Sequence, residues 1–151
     1  MLLSGAALVL AARTPADTPG TAVAAGEEAL SGAAWSTEAV ETALAEGRPV
    51  LVNFTADWCV TCKINERTAL SSPAVAEALE RADAVYLVGD WTRRDDAITA
   101  ELRRHGRSGV PLYLLYAPGQ PEPRILPQLL TGGVVVDALK AAVRPRAAAA
   151  P

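Results

Sequence analysis

Between about Trp35 and Val143 this 151-residue chain reads as one α/β domain. Helix-like and strand-like segments alternate along it. The run Val50 to Thr55 is β-prone and mostly apolar, as a strand covered on both faces is. Half of the residues are hydrophobic, enough for a core of ordinary size.

Each element has its own local signal. Ser36 or Thr37 is placed to cap a helix running through about Glu46, with Ala39, Val40, Ala43 and Leu44 at helical spacing and Gly47 as its stop. Val50 to Thr55 follows as the central strand. A helix from about Cys59 through Thr68 comes next, although Cys, Val and Thr are weak helix formers and tertiary packing has to hold the first turn. Ser72 as cap and Pro73 at the first helical position open another helix to about Ala82, with Val75, Ala78 and Leu79 apolar. Ala84 to Val88 reads as a strand. Asp95 and Asp96 place negative charge at the start of a helix through about His105, and Arg103, Arg104 and His105 suit its other end. Gly106 ends it. Val110 to Tyr116 is a further strand, residues 118 to 121 a turn, Arg124 to Leu126 a short strand and Val134 to Val143 the last helix.

The flanks differ in composition. Met1 to Ala12 is apolar except for Ser4 but shorter than the ~20 residues a spanning helix requires. The first cation, Arg13, follows this segment, whereas a secretory signal carries its positive charge ahead of the apolar stretch. Residues 1–12 therefore read as a signal-like anchor, the remnant of a longer transmembrane helix, or a tail. Residues 13–34, rich in Ala, Gly, Pro and Thr, read as a flexible linker. Residues 145–151 read as a disordered tail, which leaves 35–144 as the domain. The net charge is −3, and arginines are scattered among acids, so no basic face for nucleic acid is evident.

The chemistry sits in Thr55-Ala56-Asp57-Trp58-Cys59-Val60-Thr61-Cys62-Lys63, which contains both cysteines of the chain. A strand that delivers Cys-x-x-Cys to the first turn of a helix places the first sulfur where backbone N–H groups and the helix dipole favour the thiolate. That arrangement reads as a redox site. A structural zinc site needs four ligands, and Cys59, Cys62 and the single histidine, His105, are too few within one chain. Covalent haem attachment needs His directly after the second cysteine, where Lys63 stands. A purely structural disulfide across so short a loop gains little from loop entropy. No metal or other cofactor is expected beyond the cysteine pair.

The order of helix, strand, Trp58-Cys59-x-x-Cys62-Lys63, helix, strand, helix, Gly109-Val110-Pro111 and hairpin resembles the thioredoxin fold, over about Trp35 to Ala142. The resemblance implies a central mixed sheet flanked by helices, with an N-terminal helix extension. More narrowly, Val52 through Lys63 with Asn65-Glu66, the Ser71 to Val75 segment and Asp90-Trp91-Thr92 resemble the C-terminal periplasmic domain of the thiol:disulfide interchange proteins of the DsbD group. Such a resemblance implies a protein-disulfide reductase at the periplasmic side of the bacterial inner membrane, monomeric as a domain and membrane-tethered. It would take electrons from a transmembrane donor domain and pass them to protein disulfides.

Carried onto this chain, the resemblance makes Cys59 the exposed attacking thiolate and Cys62 the shielded resolving thiol. Trp58 is expected to pack beside the sulfurs. Asp57 and Glu66 are carboxylates that oppose the thiolate, with Glu66 as the tuning group. Lys63 is expected as a helix-surface cation of slight influence. Pro111 matches the family's cis-proline, and Val110 would offer its backbone to a substrate strand. Asn53 departs from the pattern, which commonly has a buried Asp there; an amide cannot serve as the base. Two other readings stay open: a freestanding thioredoxin-like protein in cytochrome c maturation or thiol repair, and a non-catalytic binding module.

Overall fold

The computed structural model describes residues 30–143. Segment 1–12, most of the linker and the tail from 145 fall outside them. Five helices, α1 (Thr37–Ala45), α2 (Val60–Thr68), α3 (Pro73–Arg81), α4 (Asp96–Arg104) and α5 (Gly132–Val143), alternate with five strands. These are β1 (Ala33–Ala34), β2 (Val50–Thr55), β3 (Val85–Asp90), β4 (Leu112–Tyr116) and β5 (Arg124–Ile125).

The strands form one mixed sheet in the order β1-β3-β2-β4-β5. The first three in that order run parallel, whereas β4 is antiparallel to β2 and β5 to β4. Central β2 is buried at all six positions, which explains why its sequence is apolar throughout instead of alternating. Alternate residues face opposite layers. Val50, Val52 and Phe54 join Val40 and Ala43 of α1 and Ile98 and Leu102 of α4. On the other face Leu51, Tyr113 and Leu115 pack with Val75 and Leu79 of α3 and Val135, Ala138 and Leu139 of α5. The fold is the thioredoxin fold, as the motif order implies.

The local signals act largely as read. Ser36 accepts from the Ala39 N–H at 3.0 Å, and Gly47 and Gly106 take the left-handed conformation past the ends of α1 and α4 (φ 77° and 71°). Asp95 caps α4 through Ile98 N–H at 3.0 Å. Ser72 precedes Pro73 as expected but makes no side-chain capping bond, so α3 relies on Pro73 and packing.

Three boundaries are corrected. The stretch expected as linker through residue 34 ends in β1, so the helix taken as an N-terminal extension connects two strands. β3 continues past Val88 to Asp90, and β4 begins only at Leu112. Among the described residues no helix is long and apolar enough to cross a membrane.

Gly89 explains why β3 can extend. It pairs with Phe54 across the β2/β3 ladder, and a Cβ placed there would lie 2.5 Å from the Phe54 ring. Phe54 is fully buried and has little room to retreat. Gly89→Ala is expected to cost about 1–3 kcal/mol. Urea unfolding checks this, and an unchanged midpoint would mean that the ring is free to shift.

Candidate functional site

The site begins where β2 leaves the core. After Thr55 the chain turns through Ala56, Asp57 and Trp58, closed by the Cys59 N–H donating to the Ala56 carbonyl at 3.1 Å. Cys59 has extended backbone (φ −86°, ψ 103°) and is the N-cap of α2. Its Sγ accepts the Cys62 backbone N–H at 3.2 Å, occupying the place a serine or aspartate oxygen takes in an ordinary cap. One of the unpaired N–H groups of the helix start is thereby aimed at the first sulfur. The two cysteines are joined in a disulfide with Cα atoms 5.2 Å apart.

The openly exposed first sulfur expected from the sequence is corrected here. In the disulfide state Cys59 is only 7% exposed and Cys62 0%. Ala56 joins both cysteines in one buried cluster, and Val110 packs against it, which is the physical reason for the low exposure. Cys59 remains the more accessible of the two. The Val110–Pro111 peptide is cis, with Pro111 buried and Val110 half-buried.

Trp58 is 54% exposed. Its indole N–H donates to the Thr92 carbonyl at 3.2 Å, and its ring lies 6.0 Å from that of Trp91, tilted by 52°. Trp58 thus lashes the cysteine turn to the segment after β3. The Asp57 N–H does the same through Thr92 Oγ1 at 2.9 Å. Trp91 is core, 5% exposed, with its N–H on Thr99 Oγ1 at 2.9 Å. Thr92 in turn donates its hydroxyl and its backbone N–H to Asp90, which holds that carboxyl below the usual range.

The charges near the pair are wired together. Lys63 Nζ stands 3.0 Å from Glu66 Oε2 and 3.8 Å from Asp57 Oδ1, so this helix-surface cation bridges two carboxylates. The Glu66 side chain is 15% exposed and also accepts from Thr55 Oγ1 at 2.8 Å, while Asp57 is 81% exposed. Asn53 is buried, donates to the Tyr86 hydroxyl at 3.0 Å, and leaves its Oδ1 without a partner. Two further residues carry structure that the sequence did not signal: Asn65, which ties α2 to the rest of the fold, and Tyr86, the partner of Asn53.

Burial pushes the hydroxyls of Tyr86, Tyr113 and Tyr116 up from 10 to about 12. An acid whose folded pKa is raised supports the fold fully below its unfolded pKa and loses that support as pH climbs through the folded value. The protein is therefore expected to lose stability between pH 10 and about 12. Tyrosinate absorbance and tryptophan emission should change together there. Tyrosine titration near 10 with the fold intact would contradict the burial.

Comparison with known proteins agrees with this geometry. A family model described as thioredoxin-like matches residues 31–118. Thiol:disulfide interchange protein DsbD 1 of Pseudomonas aeruginosa is 33% identical over 112 residues, 70% of this chain and 19% of that protein. DsbD of Escherichia coli is 35% identical over 103 residues, 68% of this chain and 17% of that protein. DsbD of Ralstonia nicotianae is 42% identical over 79 residues, 52% and 13% of the two chains. The chain thus spans less than a fifth of the length of these relatives. Among solved structures, the reduced C-terminal domain of Neisseria meningitidis DsbD aligns with a TM-score of 0.57 at 21% identity, over 71% of this chain and 96% of that one, a likeness of fold. Trxlp of Edwardsiella tarda aligns with a TM-score of 0.53 at 28% identity, over 72% and 98%. With the matched span running from just ahead of β1 to the end of the β4 region, and the cysteine pair inside it, the chain belongs to the thioredoxin-like family.

Proposed function

We propose that this domain is a protein-disulfide reductase of the DsbD type, which passes electrons from a membrane-embedded donor to disulfides of periplasmic proteins. The observation that carries the reading is the Cys59 sulfur at the α2 N-terminus, accepting the Cys62 N–H at 3.2 Å and bonded to Cys62. In the reduced chain the Cys59 thiolate attacks one sulfur of a substrate disulfide; the substrate S–S bond breaks and its other sulfur leaves as a thiolate that takes up a proton. The Cys62 thiol gives up its proton and attacks Cys59, releasing the second substrate thiol. Two electrons have then moved from domain to substrate, with one proton from Cys62 and one from solvent, and the domain carries the disulfide described above. A dithiol donor restores it by the same two steps in reverse. Similarity to the DsbD proteins supports a periplasmic location, and a membrane tether is part of the same proposal.

Within the proposal Val110 presents its backbone to the substrate, Pro111 shapes that edge, and Trp58 and Asp57 hold the cysteine turn. Glu66 tunes the pair, and Lys63 moderates it by neutralising part of the carboxylate charge. Glu66→Gln removes that charge and frees Lys63, and both changes favour the thiolate. The pH midpoint of Cys59 alkylation in the reduced protein is expected to move down; an unmoved midpoint removes Glu66 from the role. Asn53, unable to ionise, leaves deprotonation of Cys62 to water or Glu66.

The test is electron transfer itself. The reduced chain, mixed with a disulfide-bonded periplasmic protein, should close its own disulfide while the substrate gains two thiols, counted by alkylation and mass. Reaction with small uncharged disulfides but with no protein disulfide would sink the reductase reading. Reduction by a soluble donor alone, with none by a membrane donor, would favour a freestanding role.

A further inference from the structure

Beside the cysteine turn lies a concavity of about 440 Å³ that the exchange chemistry does not use. Its wall is Trp91, whose ring meets Trp58 on one side. Gly109, next to Val110, also touches it: a Cβ there would lie 3.6 Å from the Trp91 ring. One ring, that of Trp91, therefore stands between the hollow and the cysteine turn.

Three arginines from three separate segments line it. Arg94 comes from the turn between β3 and α4, Arg103 from the last turn of α4, and Arg107 from the loop leading to β4. Arg94 is held in place twice. Its N–H donates to the Trp91 carbonyl at 3.0 Å in a left-handed turn (φ 47°), and its guanidinium lies 5.5 Å from the Trp91 ring centre. Arg107 is half-buried and anchored by its N–H on the Leu102 carbonyl at 2.8 Å, just past Gly106.

Among the described residues none of these three arginines forms an ion pair. Two of the nearby acids are engaged otherwise. Glu101 holds Arg104 and His105, and Asp95 caps α4. A chain with a net charge of −3 has thus gathered three unpaired guanidinium groups at one hollow, separated from the cysteine turn by the Trp91 ring.

We infer that this hollow is a docking site for acidic side chains of the protein whose disulfide is exchanged. The inference rests on the exchange reading above for its partner. Arginine forks match carboxylates in a bidentate manner, and the planar fork loses less freedom per hydrogen bond formed than a lysine does. A protein segment is the occupant because the hollow adjoins the place where a protein disulfide must sit. Its size also suits one or two side chains of a chain lying across it. The functional consequence is selection: partners with Asp or Glu beside their disulfide are captured faster and held in register.

Two disulfide-cyclised peptides, identical except that Glu in one is Gln in the other, test the site. Binding to the oxidised full chain is measured by fluorescence anisotropy, and oxidation of the reduced chain by stopped-flow. The acidic peptide is expected to bind and react about tenfold better at low salt, an advantage that fades near ~0.5 M salt. In an Arg94→Gln, Arg103→Gln, Arg107→Gln variant the acidic-to-neutral ratio should fall to one, and Arg94→Lys should retain part of it. Equal binding of the two peptides to the wild type, or a preference that survives the triple variant, overturns the docking site even if both peptides react. Salt-sensitive preferential binding with no electron transfer to either peptide supports the docking site and overturns the exchange reading instead.

Discussion

Alanine at position 62 is expected to turn the domain from a catalyst into a trap. The bond that prepares Cys59, at 3.2 Å, comes from the backbone N–H of residue 62, so Cys62→Ala removes the resolving thiol and leaves the N-cap in place. Cys59 should still attack a partner disulfide, and the mixed disulfide should then persist because no second sulfur stands within reach. Turnover should drop to the uncatalysed rate while a covalent adduct accumulates to about one per chain, read on non-reducing gels and by mass. The converse variant, Cys59→Ala, should give neither turnover nor adduct, since the remaining sulfur belongs to a residue with no exposure at all. The margin in accessibility between the cysteines is small in the disulfide state, so the pair of variants decides the order of attack. An adduct through Cys62 and none through Cys59 would reverse the roles.

The wiring around the pair shows what the sequence discloses and what it conceals. β2 and α2 were legible because their signals are local: a fully apolar β-prone run, then two cysteines at the spacing of one helical turn. β1 was not, because Gly32-Ala33-Ala34 has no strand propensity and reads as linker. Its pairing comes from contact. Ala33 and Ala34 lie against Leu87 and Val88, and a Cβ at Gly32 would meet Val88 and Tyr86 within 3 Å. Small residues there serve close approach.

The same distinction divides the site. Cys59 and Cys62 follow from spacing. The Asp57 arm of the Lys63 bridge, by contrast, needs a turn residue to meet a helix residue, and the Trp58 lash needs Thr92 from a segment 34 residues away. Propensity and periodicity do not report such contacts. Trp91 is a comparable case: its ring is buried, yet it forms the wall between the cysteine turn and the arginine hollow.

Asn65 carries the second large effect. One turn into α2 and fully inside, its side chain makes three bonds to three different places: Nδ2 donates to the Tyr113 hydroxyl at 2.9 Å and to the Gln128 carbonyl at 2.6 Å, and Oδ1 accepts the Leu130 N–H at 3.0 Å. The amide thus ties the helix that bears Cys62 to β4 and to the segment leading into α5. Asn65→Ala leaves a hydroxyl, a carbonyl and an N–H without their partner; the buried Tyr113 hydroxyl and Leu130 N–H cost about 1–3 kcal/mol each before relaxation, whereas the carbonyl belongs to Gln128, an exposed residue. Because the three share one cavity, water entry recovers part of this, and a net loss of about 3–5 kcal/mol is expected. That is a large share of the stability of a domain this size. Asn65→Asp separates the two ends of the amide: it keeps an acceptor for Leu130 but loses both donors and adds a charge to a buried site, so it should be no less damaging at neutral pH. Denaturant titrations of both variants, with the slope unchanged and the midpoint lowered, are the expected result. In the folded fraction at low denaturant, the step in which Cys62 attacks Cys59 should also slow, because Cys62 lies three residues before the lost anchor on the same helix. A variant with near-native midpoint and near-native resolution rate would show that packing of the buried cluster around Tyr113 holds α2 without this amide.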